Sequence, residues 1–82
     1  MQVKGTPRFE RMLKRLPLDR QKIVLERASE LEAEPYLGKR LTGPLRGLMS
    51  LRVGEYRVIY HVDHPGNTVW LIAVGHRKSV YE

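Results

Sequence analysis

The sequence contains no cysteine, one tryptophan and one phenylalanine among its 82 residues. The absence of cysteine excludes disulfide bonds and thiolate zinc sites, and it fits a reducing cytosol. The segment after Met1 has no long apolar run, so neither a signal peptide nor a membrane span is predicted. The three histidines do not converge with carboxylates as a metal site requires, and we expect no metal and no other cofactor.

Acidic residues are also scarce, and the chain is strongly basic. Fifteen Lys and Arg stand against nine Asp and Glu, which gives a formal net charge of +6. In a chain long enough for a single domain (1–82), this charge favours a polyanionic partner: nucleic acid, an anionic membrane surface or an acidic protein. The bases concentrate in residues 36–62, whereas residues 26–34 are acidic and are expected to point away from the anion.

Three strands are predicted between residues 47 and 81. Their sequences, LMSLRV, YRVIYHV and TVWLIAVG, are rich in β-branched and aromatic residues. Gly54 and Glu55 fit a two-residue type II′ turn, and the segment DHPGN forms the second turn. Counting outward from the first turn places Arg52 opposite Arg57. The same count puts these residues on one face, the predicted core: Leu51, Val53, Tyr56, Val58 and Tyr60.

The second hairpin has a longer, proline-containing loop. A turn centred on Pro65 and Gly66 gives the pairs His61 with Trp70, Ile59 with Ile72 and Arg57 with Val74. In this register His76 lies on the face that carries the arginines. Arg77 would point into the core if the strand continued, so we expect the strand to end near Gly75.

Two helices are predicted before the strands. Thr6 caps the first helix, which starts at Pro7 and ends before Pro17. Asp19 caps the second helix, which runs to residue 33 or 34 and stops before Pro35. The apolar stripes of the two helices are Phe9, Met12, Leu13 and Leu16, then Ile23, Val24, Ala28 and Leu31. A helix hairpin on one face of an antiparallel sheet follows, with residues 2–4 as a possible edge strand.

The pairing of Arg52 with Arg57 has two interpretations. Like charges placed opposite each other on a sheet cost about 0.2–1 kcal/mol, so a sheet that keeps them favours an anion lying across both guanidinium groups. Alternatively, both arginines are solvated and their stems cover apolar surface. The loop of residues 36–47 has the same ambiguity, since its three bases either border the anion site or belong to a plain connector: Lys39, Arg40 and Arg46.

The residues after the last predicted strand could complete a site for RNA cleavage. That reaction needs a base for the 2′-hydroxyl, an acid for the 5′-oxygen and cations for the phosphorane. Arginines supply the cations, and histidine is the residue type best suited to act as a proton shuttle at neutral pH, which makes His76 the candidate. Tyr81 either stacks on a base, helps to transfer a proton, or is an amphipathic residue at the core edge. The last strand is apolar on both faces, and the helix hairpin covers only one, so the other face favours a protein partner.

The segments LRVGEYRVIY and VGHRKSVY resemble the RelE/ParE superfamily of toxins from type II toxin–antitoxin systems, nearest the RelE branch. The resemblance extends over nearly the whole chain and implies a small α+β, microbial-ribonuclease-like domain of order β-α-α-β-β-β. It implies a cytoplasmic, ribosome-dependent endoribonuclease that cuts mRNA and is held silent by an antitoxin. By position, Arg57 and Arg77 match the phosphate-stabilising arginines, Tyr81 matches the catalytic tyrosine, and Arg52 matches a further basic residue.

One departure from the RelE pattern leaves the general base open. Leu48 and Ser50 stand where RelE members carry two lysines, and Glu55 and His76 are the alternatives for proton transfer. A ParE-like toxin that inhibits DNA gyrase without catalysis is therefore a second hypothesis, and a plain nucleic-acid-binding module is a third. An antitoxin fits the apolar sheet face best, because an amphipathic helix would cover it while acidic residues neutralise the arginines.

Overall fold

The computed structural model describes residues 1–80 and shows two helices packed on a five-stranded sheet. The elements are β1 (Gln2–Gly5), α1 (Pro7–Leu13), α2 (Leu18–Ser29), β2 (Lys39–Arg40), β3 (Met49–Val53), β4 (Tyr56–Asp63) and β5 (Thr68–His76). The spatial order is β1-β5-β4-β3-β2, with β1 parallel to β5 and the other pairs antiparallel. The predicted α+β class and element order are confirmed, and the two-residue β2 is added inside the predicted loop. No helix within residues 1–80 is long and apolar enough to cross a bilayer.

The first helix begins as predicted. The Thr6 hydroxyl accepts a hydrogen bond from the backbone N–H of Phe9 at 3.2 Å, and Pro7 occupies the first turn. The same hydroxyl donates to the carbonyl oxygen of Leu71 on β5 at 2.9 Å. Thr6 therefore caps α1 and also fixes it to the sheet, where the Phe9 ring is fully buried.

The second helix differs from the prediction in its cap and its buried face. Its N-cap is Pro17, whose carbonyl oxygen accepts from Arg20 and Gln21 at 2.9 Å, so the predicted Asp19 cap is wrong. Asp19 lies instead in the first turn, where a carboxylate interacts favourably with the helix dipole. Ile23, predicted to be buried, is 44% exposed, because the helix uses a narrow stripe at one residue per turn. That stripe is Val24 and Ala28, and Leu31 continues it in a short 3-10 helix (Glu30–Glu32). The predicted end of the second helix at residue 33 or 34 is therefore wrong, because the α-helical turns stop at Ser29 and tighten into this 3-10 segment.

The hairpin of β3 and β4 has the predicted register, including Arg52 opposite Arg57 and Val53 opposite Tyr56. Gly54 has a φ of +59°, whereas Glu55 has a negative φ. Two positive values would define a type I′ turn, so this combination fits the predicted type II′ turn. Four of the five residues of the predicted core face are buried: Leu51, Val53, Val58 and Tyr60. The fifth, Tyr56, is half-buried.

The predicted register of β4 and β5 holds only near the turn. His61 pairs with Trp70, but a bulge follows and Ile59 pairs with Ala73 rather than with Ile72. A bulge adds one residue to one strand, so every later position on β5 changes face. Arg57 consequently lies opposite Gly75, where Val74 was predicted, and β5 continues to His76.

Apolar side chains form clusters on both faces of the sheet. The larger cluster lies under the helices and includes Phe9, Leu13, Val24, Leu31, Leu51, Val58, Tyr60, Val69 and Leu71. The smaller cluster, on the opposite face, has Ile59, Ala73 and Val80 as its buried members. Leu41, Leu48 and Ile72 pack against it and are only partly buried. The predicted second apolar face is therefore present.

Gly38 and Tyr60 join β2 to the core. The Gly38 N–H donates to the Tyr60 hydroxyl at 3.0 Å. A Cβ on Gly38 would lie 2.5 Å from the carbonyl oxygen of Ser50, so only glycine allows this approach of the two backbones. Burial raises the pKa of the Tyr60 phenol, and the nearby Tyr36 adds to the increase, while the Gly38 hydrogen bond opposes it.

We expect Tyr60→Phe to change the alkaline limb of stability. An unfolded tyrosine ionises near pH 10.0 and the buried phenol only at higher pH, so stability falls as pH rises above that value. The free energy of unfolding of the variant should be about 1 kcal/mol lower at neutral pH, because the hydrogen bond from Gly38 is lost. Above pH ~10 it should decline less steeply than that of the wild type. Denaturant unfolding from pH 7 to 11 measures both effects. Tyr56→Phe, which removes a half-buried phenol that takes no part in the Gly38 hydrogen bond, is the control. Equal slopes for wild type and Tyr60→Phe would contradict the expectation.

Candidate nucleic-acid interface and active site

Arg52 and Arg57 lie side by side at the end of the sheet nearest the β3–β4 turn. The type II′ turn fixes this pairing, since its two residues set the register of the strands. Arg52 is exposed, and its Nε donates to the carbonyl oxygen of Gly54 at 3.3 Å. Arg57 is half-buried between β3 and β5, so its guanidinium group has less freedom than that of Arg52.

These two arginines line a cleft of about 170 Å³ at the outer edge of the sheet. We call it the basic cleft and define it by its polar lining: Arg27, Lys39, Ser50, Arg52 and Arg57. Lys39 pairs with Ser50 across β2 and β3, so both side chains share the face of Arg52 and Arg57. Of the predicted anion-site bases, Lys39 is thus beside the arginine pair.

Three of the four cationic residues of the basic cleft have no carboxylate partner among residues 1–80. Arg27 forms an ion pair with Glu30, with 2.9 Å between Nη1 and Oε2. The only other ion pair in this part of the chain joins Arg20 to Asp19, and neither of these residues lines the cleft. No carboxylate of residues 1–80 therefore lies within 4 Å of the cationic groups of Lys39, Arg52 or Arg57. Three cations in one cleft fit a phosphate group.

Arg77 lies near the same end of the sheet but does not line the basic cleft. Its backbone N–H donates to the carbonyl oxygen of Glu55 at 2.9 Å, which places it beside the β3–β4 turn. The chain then turns back, and the N–H of Val80 donates to His76 at 3.0 Å. Val80 packs over Gly75, the residue opposite Arg57. The predicted catalytic Tyr81 lies outside the described residues.

His76 does not lie where the sequence placed it. It pairs with Tyr56 and contacts that ring edge-on, with the centroids 6.3 Å apart. Tyr56 alternates with Arg57 along β4, so His76 lies on the opposite side of the sheet from the arginines. The bulge at Ile72 causes the difference, because it shifts the alternation of β5 by one residue. The prediction that His76 shares the arginine face is wrong.

Arg40 and Arg46 belong to a second pocket, separate from the basic cleft. This pocket has a volume of about 340 Å³ and is lined by Tyr36, Arg40, Leu41, Arg46, Leu48, Met49 and Val62. Arg40 pairs with Met49, a core residue, and so points to the other side of β2 from Lys39. Its guanidinium lies 5.9 Å from the centre of the Tyr36 ring, which in turn stacks on His64. The predicted basic loop therefore divides between two surfaces.

An apolar groove of about 310 Å³ crosses the face that carries Arg52 and Arg57. Its lining is Arg8, Leu45, Leu48, Ile59, Ile72, Ala73 and Val80. The groove adjoins the arginine end through Val80, which packs over the strand neighbour of Arg57. A ligand that fills this groove therefore comes close to the basic cleft.

Sequence reasoning missed Arg27 and Ser50. Arg27 was assigned to a helix expected to point away from the anion, yet it lines the basic cleft from α2. A single base within an acidic run gives no signal of such a role. Ser50 was considered only as the replacement of a lysine, and its burial depends on β2, which was not predicted.

Comparison with known proteins identifies similar chains. Residues 3–81 match the family model described as the ParE toxin of the type II toxin–antitoxin system parDE. Toxin RelG of Mycobacterium tuberculosis is 37% identical over 81 residues, which cover 96% of this chain and 93% of the relative. A chain in the crystal structure of the toxin–antitoxin complex RelBE2 from Mycobacterium tuberculosis has a TM-score of 0.86 and 37% identity, over 93% of this chain and 90% of that one. A chain in the archaeal RelE–RelB complex from Pyrococcus horikoshii OT3 has a TM-score of 0.73 and 28% identity, over 96% of this chain and 97% of that one.

Proposed function

Because this chain belongs to the RelE/ParE superfamily of type II toxin–antitoxin toxins, we propose that it stops translation by cutting mRNA on the ribosome. The observation that carries the proposal is the basic cleft, where Arg52 and Arg57 lie side by side and no carboxylate of residues 1–80 pairs with them. A cleft of this kind favours a ligand that brings phosphate oxygens. The coarser statement, a toxin of a type II system, follows from the family itself.

The proposed reaction is attack of an RNA 2′-oxygen on the adjacent phosphorus. The P–O bond to the 5′-oxygen breaks, which leaves a 2′,3′-cyclic phosphate and a 5′-hydroxyl. Arg57 and Arg77 stabilise the extra negative charge of the phosphorane, and Arg52 and Lys39 help Arg57 to hold the same phosphate. Guanidinium groups supply this charge without a metal. Tyr81 is the proposed catalytic tyrosine at the C-terminal end. Of the two residues considered for taking the 2′-proton, Glu55 lies in the β3–β4 turn beside the arginines, whereas His76 lies on the opposite side of the sheet, so Glu55 is the better placed.

The cognate antitoxin is the proposed protein partner, and the apolar groove is its proposed binding site. Neighbouring structures are toxin–antitoxin complexes. An amphipathic helix in the groove would bury Leu48 and Ile72, which are only partly buried in the chain alone. Acidic antitoxin residues at the Val80 end would then neutralise Arg57. The other proposed partners are mRNA and the ribosome, and no membrane partner is proposed. With these partners, the proposed location of the protein is the cytoplasm.

A second candidate function is inhibition of DNA gyrase through a protein contact, without catalysis. The specific feature in its favour is that the chain has Leu48 and Ser50 where the resemblance to RelE leads us to expect two lysines. The family model that matches residues 3–81 is also named for a ParE toxin. In that case the arginines would contribute to protein recognition rather than to phosphate chemistry.

Primer extension on a translated mRNA after induced expression tests the two functions. We expect breaks inside the reading frame that disappear when the start codon of the reporter mRNA is removed. A reporter of equal length that keeps its start codon serves as the reference for transcript level. Growth arrest with intact mRNA would contradict the nuclease, and reduced supercoiling by purified gyrase in the presence of the protein would then support the second function.

A further inference from the structure

Ser50 carries a hydroxyl group that the fold buries without a partner. The residue is 4% exposed, and its Oγ forms no hydrogen bond with any group of residues 1–80. Burying a hydroxyl without a partner is unfavourable, and most such groups in native proteins are satisfied. It is the one side-chain atom of this kind in the described part of the chain, so a specific explanation is needed.

The position of Ser50 connects this hydroxyl with the basic cleft. Ser50 is the second residue of β3 and pairs with Lys39 on β2 and with Ile59 on β4. It lines the cleft together with Lys39, Arg52 and Arg57. Because it is nearly fully buried, it forms the floor of the cleft, whereas Lys39 and Arg52 are exposed and form the rim.

The chemistry of the cleft determines what the hydroxyl can bind. Lysine and arginine side chains are donors only, so a ligand held by them must bring acceptor oxygens. A serine hydroxyl can donate to the same ligand, and hydrogen bonds to a charged acceptor are stronger than those between neutral groups. The exposed rim side chains can change rotamer when an anion enters, which gives the ligand access to the floor.

We propose that Ser50 is a phosphate-binding residue whose hydroxyl donates to a non-bridging oxygen of the RNA phosphate held by Lys39, Arg52 and Arg57. The identity of the ligand as RNA rests on the proposed function. A neutral serine hydroxyl is far too weak a base to take the 2′-proton, so the role is binding and not proton transfer. Pairing with a strand on each side fixes the position of Ser50, and the phosphate is thereby positioned against Arg57.

The test is binding of a fluorescein-labelled RNA oligonucleotide with 2′-deoxy substitutions that prevent cleavage, measured by anisotropy with the full chain. We expect Ser50→Ala to weaken binding about tenfold or more, since it removes one hydrogen bond to a charged group. Ser50→Thr keeps the hydroxyl, and Ser50→Val introduces a side chain of the same shape as threonine without the hydroxyl. Comparison of these two variants therefore isolates the effect of the oxygen. The melting temperature of Ser50→Ala should not fall, because the hydroxyl has no partner to lose in the free protein.

Two results would overturn the proposal. The first is equal RNA affinity for Ser50→Thr and Ser50→Val, which would show that the hydroxyl does not contact the ligand. The second is a fall in melting temperature for Ser50→Ala that parallels the fall in affinity, which would show a structural role. Failure of the nuclease is recognised separately: RNA binding that depends on the Ser50 hydroxyl, with no breaks in cellular mRNA, supports the phosphate site and contradicts only the proposed cleavage.

Discussion

Arg57→Ala is expected to reduce translation-dependent mRNA breaks by about 100- to 1,000-fold, the range seen when one preorganised stabiliser of transition-state charge is removed. Arg57 is half-buried, and its neighbours on the two adjacent strands are Arg52 and Gly75. Neither neighbour can replace its charge at the same point in the basic cleft. Primer extension at matched protein levels measures the breaks, and recovery of growth gives a second readout.

The same substitution should leave the fold intact. Removing one of two opposed arginines relieves like-charge repulsion on the sheet, so we expect no loss of melting temperature from electrostatics. Arg57→Lys keeps the charge but not the planar pair of donors, and its activity should lie between wild type and alanine. Arg15→Ala removes an equal charge from an exposed position after α1 and should retain all breaks. Undiminished breaks in Arg57→Ala would contradict the proposed phosphate clamp.

Local rules predicted the fold well where one short turn sets the geometry. The hairpin around Gly54 and Glu55 has the predicted register at every pair, since a two-residue loop leaves only one way to count. The hairpin with the longer loop was predicted correctly only as far as His61 and Trp70. The bulge at Ile72 moves the later residues of β5 to the opposite face from the predicted one. Because this strand is apolar at nearly every position, its sequence has no alternation that would reveal the extra residue.

The candidate site divides in the same manner. Arg52 and Arg57 were placed side by side from the sequence because both belong to the predictable hairpin. The places of Arg27 and Ser50 in the site could not be predicted in this way, since Arg27 reaches the basic cleft from α2 and Ser50 is enclosed by β2. Contacts between elements distant in sequence decide both. His76 shows the opposite failure, in which a suitable residue type lies on the wrong face.

Ile72→Asp is expected to weaken binding of the cognate antitoxin by about 100-fold or more, while toxicity remains. Ile72 is partly buried at the bulge of β5 and lines the apolar groove. In the free protein the new carboxylate can stay hydrated, but a helix lying in the groove would bury it without a partner. Losses of this size are typical when a central interface residue is disrupted. Titration of the purified toxin with antitoxin measures the affinity.

Growth assays separate this effect from unfolding. Cells that express Ile72→Asp should arrest as cells with the wild-type toxin do, but co-expressed antitoxin should no longer rescue them. Growth arrest shows that the variant is folded, because a misfolded toxin would not arrest growth. Leu18→Asp is the matched control: it places the same charge at an apolar residue that is 77% exposed, on α2 and outside the groove. We expect normal rescue for this variant. Rescue of Ile72→Asp equal to that of Leu18→Asp would place the antitoxin elsewhere, and the partly buried apolar residues Leu48 and Ile72 would then need another partner.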